Sequence, residues 1–273
     1  MKIVYFGTDV FIETFSYLVE NNEILALYTY HKNEDFFTEY EIVKLANKRG
    51  IPVYYNRIST DTIIKYFLED GCELFFVAEY DSILPVPNDI NNFRAINTHS
   101  SLLPEGRSYY PIEIAMFKCL KKTGVTIHKL TENLDGGDII LQKSFPICDE
   151  DSSVDVYTKC AKIQFEMVKY LMNNFEELWN SAKPQIEKCI YWKRPNEKEL
   201  TITHDMTLDR AKQVYRCFNR MTKVNIENII YYVCSFEIID YKEEDNRDFI
   251  YISEKLVLYK TMDGYIKMQI EPA

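Results

Sequence analysis

The sequence predicts a doubly wound, mostly parallel α/β domain over residues 1–184, followed by a small β-rich region over residues 185–273. Three observations carry this. Short apolar, β-branched runs alternate with helical patterns from residue 1 to about residue 100, the order that lays helices on both faces of a parallel sheet. One of those runs, CELFFVAEY at 72–80, is nearly continuous in apolar residues, as strands buried on both faces are. Beyond Pro184 the chain is rich in β-type runs, NIIYYVCSFEI, LVLYKT and YIKMQI, with alternation plainest in SFEI and YIKMQI, which is the period of half-buried strands.

The elements follow in order. KIVYFG is a strand stopped by the tight turn Gly-Thr-Asp. Phe11, Phe15, Leu18 and Val19 make the apolar face of a first helix. EILALYTY is a strand, EYEIVKLANKRG a helix closed by Gly50, IPVYY a strand and TDTIIKYFLEDG a helix. CELFFVAEY and FRAINTH are the next two strands. In such sheets ligands bind beyond the carboxyl ends of the strands, so the turns after Phe6, Tyr80 and Ile96 are expected to open on one functional rim. YYPIEIAMFKCL is then a helix, and TGVTIHKL and GDIILQKSFPI an antiparallel pair joined by the turn TENLDGG. SSVD at 152–155 is a capping-box pattern opening a long helix expected to reach about Ala182. The last helix is LDRAKQVYRCFN, and the run KEEDNRD at 242–248 reads as an exposed hairpin loop.

Composition narrows the function. The net charge is −10, and no Lys/Arg cluster stands out beyond Lys118, Lys121 and Lys122, which argues against nucleic acid as a partner. Seven scattered cysteines without a CxxC pair fit reduced thiols and a cytoplasmic location. The N-terminal apolar run is too short for a signal peptide, and no stretch approaches the roughly 18 apolar residues of a membrane span. His31, His99, His128 and His204 have no metal-ligand spacing, so no metal is expected.

The chemistry-bearing residues are Asn97 and His99, two apart at the end of a strand, and Asp135, which precedes Gly136 and Gly137. Each alone is ordinary: an Asn caps, a lone His is usually structural, and Asp before Gly-Gly is a common turn. The combination is specific. FGT at the start, INTHSSLLP, TGVTIHKL and LDGGDI together resemble the N10-formyltetrahydrofolate-dependent formyltransferase family, well over about residues 1–150 and more loosely through YWKRPNEKELTI.

The resemblance implies a Rossmann-like fold and a catalytic trio of Asn97, His99 and Asp135. It implies N10-formyltetrahydrofolate as co-substrate, held by the segment VAEYDSILP and the LDGGD loop; by position this carries over to Tyr80, Ile83, Leu84, Leu134 and Asp138. Ile83 and Leu84 read equally as ordinary core. His128, in the strand TGVTIHKL, reads as structural or positioning. One departure stands out: the family's loop often has Arg-Gly where this chain has Arg107-Ser108. Ser lacks glycine's backbone freedom, so the acceptor loop is expected to take its own path, with Arg107, Tyr109 and Tyr110 as acceptor contacts.

Three acceptors compete within the family. The acidic charge and a C-terminal region shorter than usual for tRNA-acting members weigh against methionyl-tRNA. The turn FGTDVF, with one glycine followed by Asp9, weighs against glycinamide ribonucleotide because the carboxylate repels phosphate. A small-molecule nucleotide-linked (dTDP- or UDP-) amino dideoxy sugar remains, formylated for surface glycan synthesis. Arg194, Arg216, Asn219 and Arg220 are candidates for its diphosphate, with Arg216 and Arg220 four apart on one helix face. Tyr191 or Trp192 are candidates to stack on its base. An inactive folate- or sugar-nucleotide-binding module, and a hydrolase using the same trio, are the alternatives of other classes. The apolar strands of the C-terminal unit suit either a homodimer contact or the protomer's own core.

Overall fold

Continuous apolar runs and turn residues divide the first half of the chain into alternating elements, as the sequence predicts. The structure, a computed structural model, describes residues 1–30, 40–80, 82–87, 92–186, 190–241 and 247–273. His31, Asp81 and most of the KEEDNRD run lie outside the described residues. The first elements are β1 (Lys2–Gly7), α1 (Ile12–Asn21), β2 (Glu23–Tyr28), α2 (Glu41–Lys48), β3 (Val53–Tyr54), α3 (Thr60–Leu68), β4 (Leu74–Ala78) and β5 (Ala95–His99). Next come β6 (Glu105–Arg107), α4 (Pro111–Phe117), β7 (Lys122–Lys129), β8 (Ile139–Pro146), α5 (Ser153–Asn173), α6 (Phe175–Asn180) and β9 (Ile190–Tyr191). The chain continues through α7 (Glu197–Leu200), β10 (Thr201–Ile202), α8 (Leu208–Phe218), β11 (Lys223–Ile226), β12 (Ile229–Ile239), β13 (Phe249–Ser253), β14 (Leu256–Lys260) and β15 (Tyr265–Pro272).

The chain folds into two compact units. The first comprises Met1–Ser108, Lys122–Pro146 and Tyr157–Trp192; the second comprises Tyr109–Lys121, Ile147–Val156 and Lys193–Ala273. The units interleave in sequence, whereas the pattern reading drew one boundary at residue 184.

The first unit is built on a seven-stranded sheet of order β3-β2-β1-β4-β5-β7-β8. β1, β2, β3, β4 and β5 run parallel. β7 is antiparallel to β5, and β8 is antiparallel to β7. Burial explains the composition of the central strands: Ile3, Val4, Phe6, Leu74, Phe75, Phe76 and Ile96 are all inaccessible to solvent. One core cluster joins Val4, Phe6, Phe75, Val77, Ala95 and Leu84 to Ile63, which α3 presents at its buried position. A short parallel pair, β6 with β9, was not legible in the pattern.

The expected single helix to about Ala182 is two helices. It ends at Asn173, and Asn174, at φ −131° and ψ 28°, separates it from α6. The Asn174 amide donates to the Tyr170 carbonyl, a local bond that competes with helix continuation. The capping box is present: the Ser152 N–H donates to Asp155 Oδ2 at 2.8 Å, and the Asp155 N–H to Ser152 Oγ at 3.3 Å.

In the second unit a six-stranded sheet has the order β10-β11-β12-β15-β14-β13, antiparallel apart from the β10–β11 pair. It includes β11 and β13, which the pattern reading did not single out. Helix α8 buries Ala211, Val214, Cys217 and Phe218 and sets Phe218 against Phe117 of α4, with ring centroids 5.1 Å apart. Among the described residues no helix is long and apolar enough to cross a membrane.

Candidate active site

Register alone brings the first two residues of the site together with a third. β5 pairs antiparallel with β7, placing Asn97 opposite His128 and His99 opposite Thr126. Residues directly opposite across such a pair share a face. The Asn97 amide nitrogen lies 3.3 Å from His128 Nε2. The other face of the His128 ring is fixed by the backbone: Nδ1 is 2.8 Å from the Lys129 carbonyl, which can only accept, so Nδ1 carries the proton there. His128 is therefore a member of the site and orients Asn97.

The LDGG turn between β7 and β8 supplies the fourth member. Its shape depends on glycine: a Cβ on Gly137 would lie 1.8 Å from the Lys129 carbonyl oxygen. Asp135 itself sits at φ 49°, a left-handed conformation that Asp tolerates better than most residues. Its carboxylate is buried and has four neighbours. Asn97 Nδ2 donates to Oδ1 at 3.3 Å, and the Ser108 N–H donates to Oδ2 at 3.0 Å. His99 Nδ1 stands 3.8 Å from Oδ2, and His128 Nε2 stands 3.7 Å from Oδ1. Burial alone pushes the Asp135 carboxyl up; the His99 charge, His128 and the Ser108 N–H outweigh it and hold the group well below the usual carboxylate range. Asp135 is thereby favoured as the anion in the resting site.

His99 is buried and its Nε2 is 2.7 Å from the Gly106 carbonyl. Nε2 therefore carries a proton, and Nδ1 is the nitrogen left to exchange one. The 3.8 Å gap from Nδ1 to Asp135 is too long for a direct hydrogen bond and leaves Nδ1 able to turn toward a third atom. The loop behind His99 is held by Thr126, whose hydroxyl donates to the Ser101 carbonyl at 2.7 Å and accepts from the Leu103 N–H at 3.2 Å.

Ser108 corrects the expectation drawn from its side chain. It adopts φ 98°, the region glycine favours, and its N–H is thereby aimed at Asp135. Arg107 is also corrected. It is buried, and its Nε and Nη2 donate to Gln185 Oε1 at 3.2 and 2.6 Å. It is committed inside the first unit and is not a free acceptor contact. Gln185 was missed by sequence reasoning; its Nε2 donates to the carbonyls of Asp135 at 2.9 Å and Gly137 at 2.7 Å.

Of the residues carried over for the co-substrate, Tyr80 is half-buried and stacks on Tyr30 with centroids 5.4 Å apart. Ile83 is 72% exposed, whereas Leu84 is 5% exposed and packed in the core cluster, which removes its side chain from the proposed pocket. Leu134 is half-buried, its carbonyl 3.5 Å from the Tyr191 hydroxyl. Asp138 lies 3.7 Å from Lys129 Nζ.

Of the remaining acceptor candidates, Tyr191 and Trp192 belong to the first unit, and Tyr109, Tyr110, Arg194, Arg216, Asn219 and Arg220 to the second. There Arg194 lies over the Tyr109 ring, 3.9 Å from its centroid, a cation–π contact. Tyr110, at φ 57°, caps α4 directly before Pro111. Arg216 and Arg220 do not share a helix face: α8 ends at Phe218, Asn219 turns the chain at φ 46°, and Arg220 falls in the short 3-10 turn that follows. The Arg216 guanidinium donates to the Asp149 carbonyl. Trp192 is buried and is no platform for a base; Tyr191, in the first unit, is exposed.

An amide, two imidazoles and a carboxylate meet around one point at the carboxyl edge of parallel strands, groups that can exchange a proton and offer hydrogen-bond donors to a developing oxyanion. The chain belongs to the formyl transferase family, whose model matches residues 22–170. It is 30% identical over 207 residues to a methionyl-tRNA formyltransferase of Listeria monocytogenes serotype 4a (strain HCC23), a match covering 72% of this chain and 66% of that protein. The chain spans 58–66% of the length of the Listeria relatives it matches. In fold it resembles a sugar 3N-formyl transferase solved with dTDP and 5-N-formyl-THF, at TM-score 0.64 and 20% identity over 99% of this chain and 97% of that one. It also resembles the N-formyltransferase of Helicobacter canadensis in complex with folinic acid and dTDP-3-aminofucose, at TM-score 0.66 and 18% identity over 99% of both chains.

Proposed function

We propose that the chain moves a formyl group from N10-formyltetrahydrofolate to the amine of a nucleotide-linked (dTDP- or UDP-) amino dideoxy sugar, for surface glycan synthesis. The observation that carries the transfer is the convergence of Asn97, His99 and Asp135. The neutral amine attacks the formyl carbon, and the carbonyl oxygen becomes an oxyanion. His99 Nδ1, when protonated, and the Asn97 amide supply hydrogen-bond donors to it; the Asn97 contacts to His128 and Asp135, both 3.3 Å, are long enough to yield one hydrogen. Asp135, ionised in the resting site, takes up, directly or through water, the proton the amine must lose. The C–N10 bond then breaks, and N10 takes up the proton that left the amine, so the folate leaves as tetrahydrofolate.

The choice of acceptor rests on the net charge of −10 and on the two sugar-formylating structural neighbours. A second reading, a methionyl-tRNA acceptor, is favoured by the Listeria relatives. Incubation with formyl-tetrahydrofolate and either amino-sugar nucleotides or initiator methionyl-tRNA separates them. Formylated sugar supports the first reading; formylated methionyl-tRNA alone overturns it.

A further inference from the structure

We propose that Gln185 is a positioning residue for the Asp135 carboxylate, fastening the 134–138 turn through a clasp with Arg107. This rests on the reading above, in which Asp135 acts beside His99.

The Gln185 amide has two acceptor lone pairs and two N–H groups, and all four are used. Oε1 accepts from Arg107 Nε and Nη2, while Nε2 donates to the carbonyls of Asp135 and Gly137. The amide can point only one way: reversed, its NH₂ would face a guanidinium and its oxygen two carbonyls. The two carbonyls it holds flank the tightest part of the turn. On the opposite side Gly137 presses against the Lys129 carbonyl, and the Lys129 N–H donates to the Asp138 carbonyl at 2.9 Å. The turn is thus gripped between β7 and Gln185, with Asp135 held at φ 49°. The other end of the clasp is connected too: Ser108, next to Arg107 in sequence, donates its N–H to Asp135 Oδ2. One residue therefore sets the Asp135 backbone and, through Arg107, the donor that sets its carboxylate. A displacement of about 1 Å at a reacting group can cost on the order of a hundredfold in rate.

The test uses the full chain with Gln185→Met, which keeps bulk without polarity, and Gln185→Glu, which keeps the Arg107 bond but turns an oxygen toward two carbonyls. Amide hydrogen exchange at Ser108 and Gly136 is measured with melting temperature, kcat and KM. Both variants are expected to exchange at least about tenfold faster at those amides and to lose at least about tenfold in kcat, with both KM values within about twofold of wild type. Unchanged exchange in either folded variant overturns the clasp, and faster exchange with wild-type kcat overturns its role in positioning. If the wild type itself transfers no formyl group, it is the formyl-transfer reading that fails, and exchange still decides the clasp. If Gln185→Met does not fold, Gln185→Glu carries the measurement.

Discussion

His99 commits Nε2 to the Gly106 carbonyl, so its contribution must come from Nδ1. Replacing it with Asn removes that group and is expected to lower kcat by about 10²–10⁴-fold with the melting temperature nearly unchanged; wild-type rates in folded protein would remove His99 from the mechanism. Ser108 carries a side chain at φ 98°. Ser108→Gly keeps the N–H that Asp135 needs and relieves strain, so it is expected to stabilise by up to about 1 kcal/mol without loss of kcat; a lower midpoint in urea would contradict this. Glu79, just beyond β4, has its carboxyl pushed up from an ordinary 4.5 to about 7 by burial. Between those values the folded chain holds a proton the unfolded chain has released, so stability falls as pH rises through the interval. Glu79→Gln is expected to raise the melting temperature at pH 8 and leave it near wild type at pH 5. An equal change at both would refute the burial argument. That Asn97, His99 and Asp135 lie close together was legible through the resemblance carried by INTHSSLLP and LDGGDI, since each residue alone reads as ordinary. Gln185 was not, because its partners are 78 and 50 residues away and nothing local marks an amide as a clasp.

Elements were legible where burial dictates composition. β1 and β4 are apolar because they are covered on both faces, and the Gly50 and Gly71 stops have the positive φ that closes a helix. The pair β6–β9 was not, since strands of three and two residues carry no periodicity; they pair because Trp192 and Arg107 meet through the backbone, N to O at 3.1 Å. The break at Asn174 was missed for a related reason: the apolar pattern continues across it. The LDGG turn gives the sharpest element-scale test. Gly137→Ala would drive a Cβ into the rigid Lys129 carbonyl and is expected to cost about 2–3 kcal/mol, seen as a lower thermal midpoint, and to reduce kcat by displacing Asp135. An unperturbed Gly137→Ala protein would mean that the turn is looser than described.

At the scale of the molecule, the α/β architecture and the β-rich C-terminal part followed from pattern, while the interleaving of the two units did not. Segments 109–121 and 147–156 join the second unit through tertiary packing such as Phe117 on Phe218, which no local pattern announces. The second unit carries Arg216, whose guanidinium already serves Asp149. As an acceptor contact, Arg216→Ala should raise KM for the sugar nucleotide more than it lowers kcat; an unchanged KM would leave it the structural role alone. The most direct measurement of the central claim is mass spectrometry of products formed from formyl-tetrahydrofolate and a panel of dTDP- and UDP-linked amino sugars, with wild type and His99→Asn side by side. The account predicts that one amino sugar gains a single formyl group with wild type and at least about a hundredfold more slowly with the variant. Consumption of the folate without any formylated sugar, or equal rates in the two proteins, would contradict it.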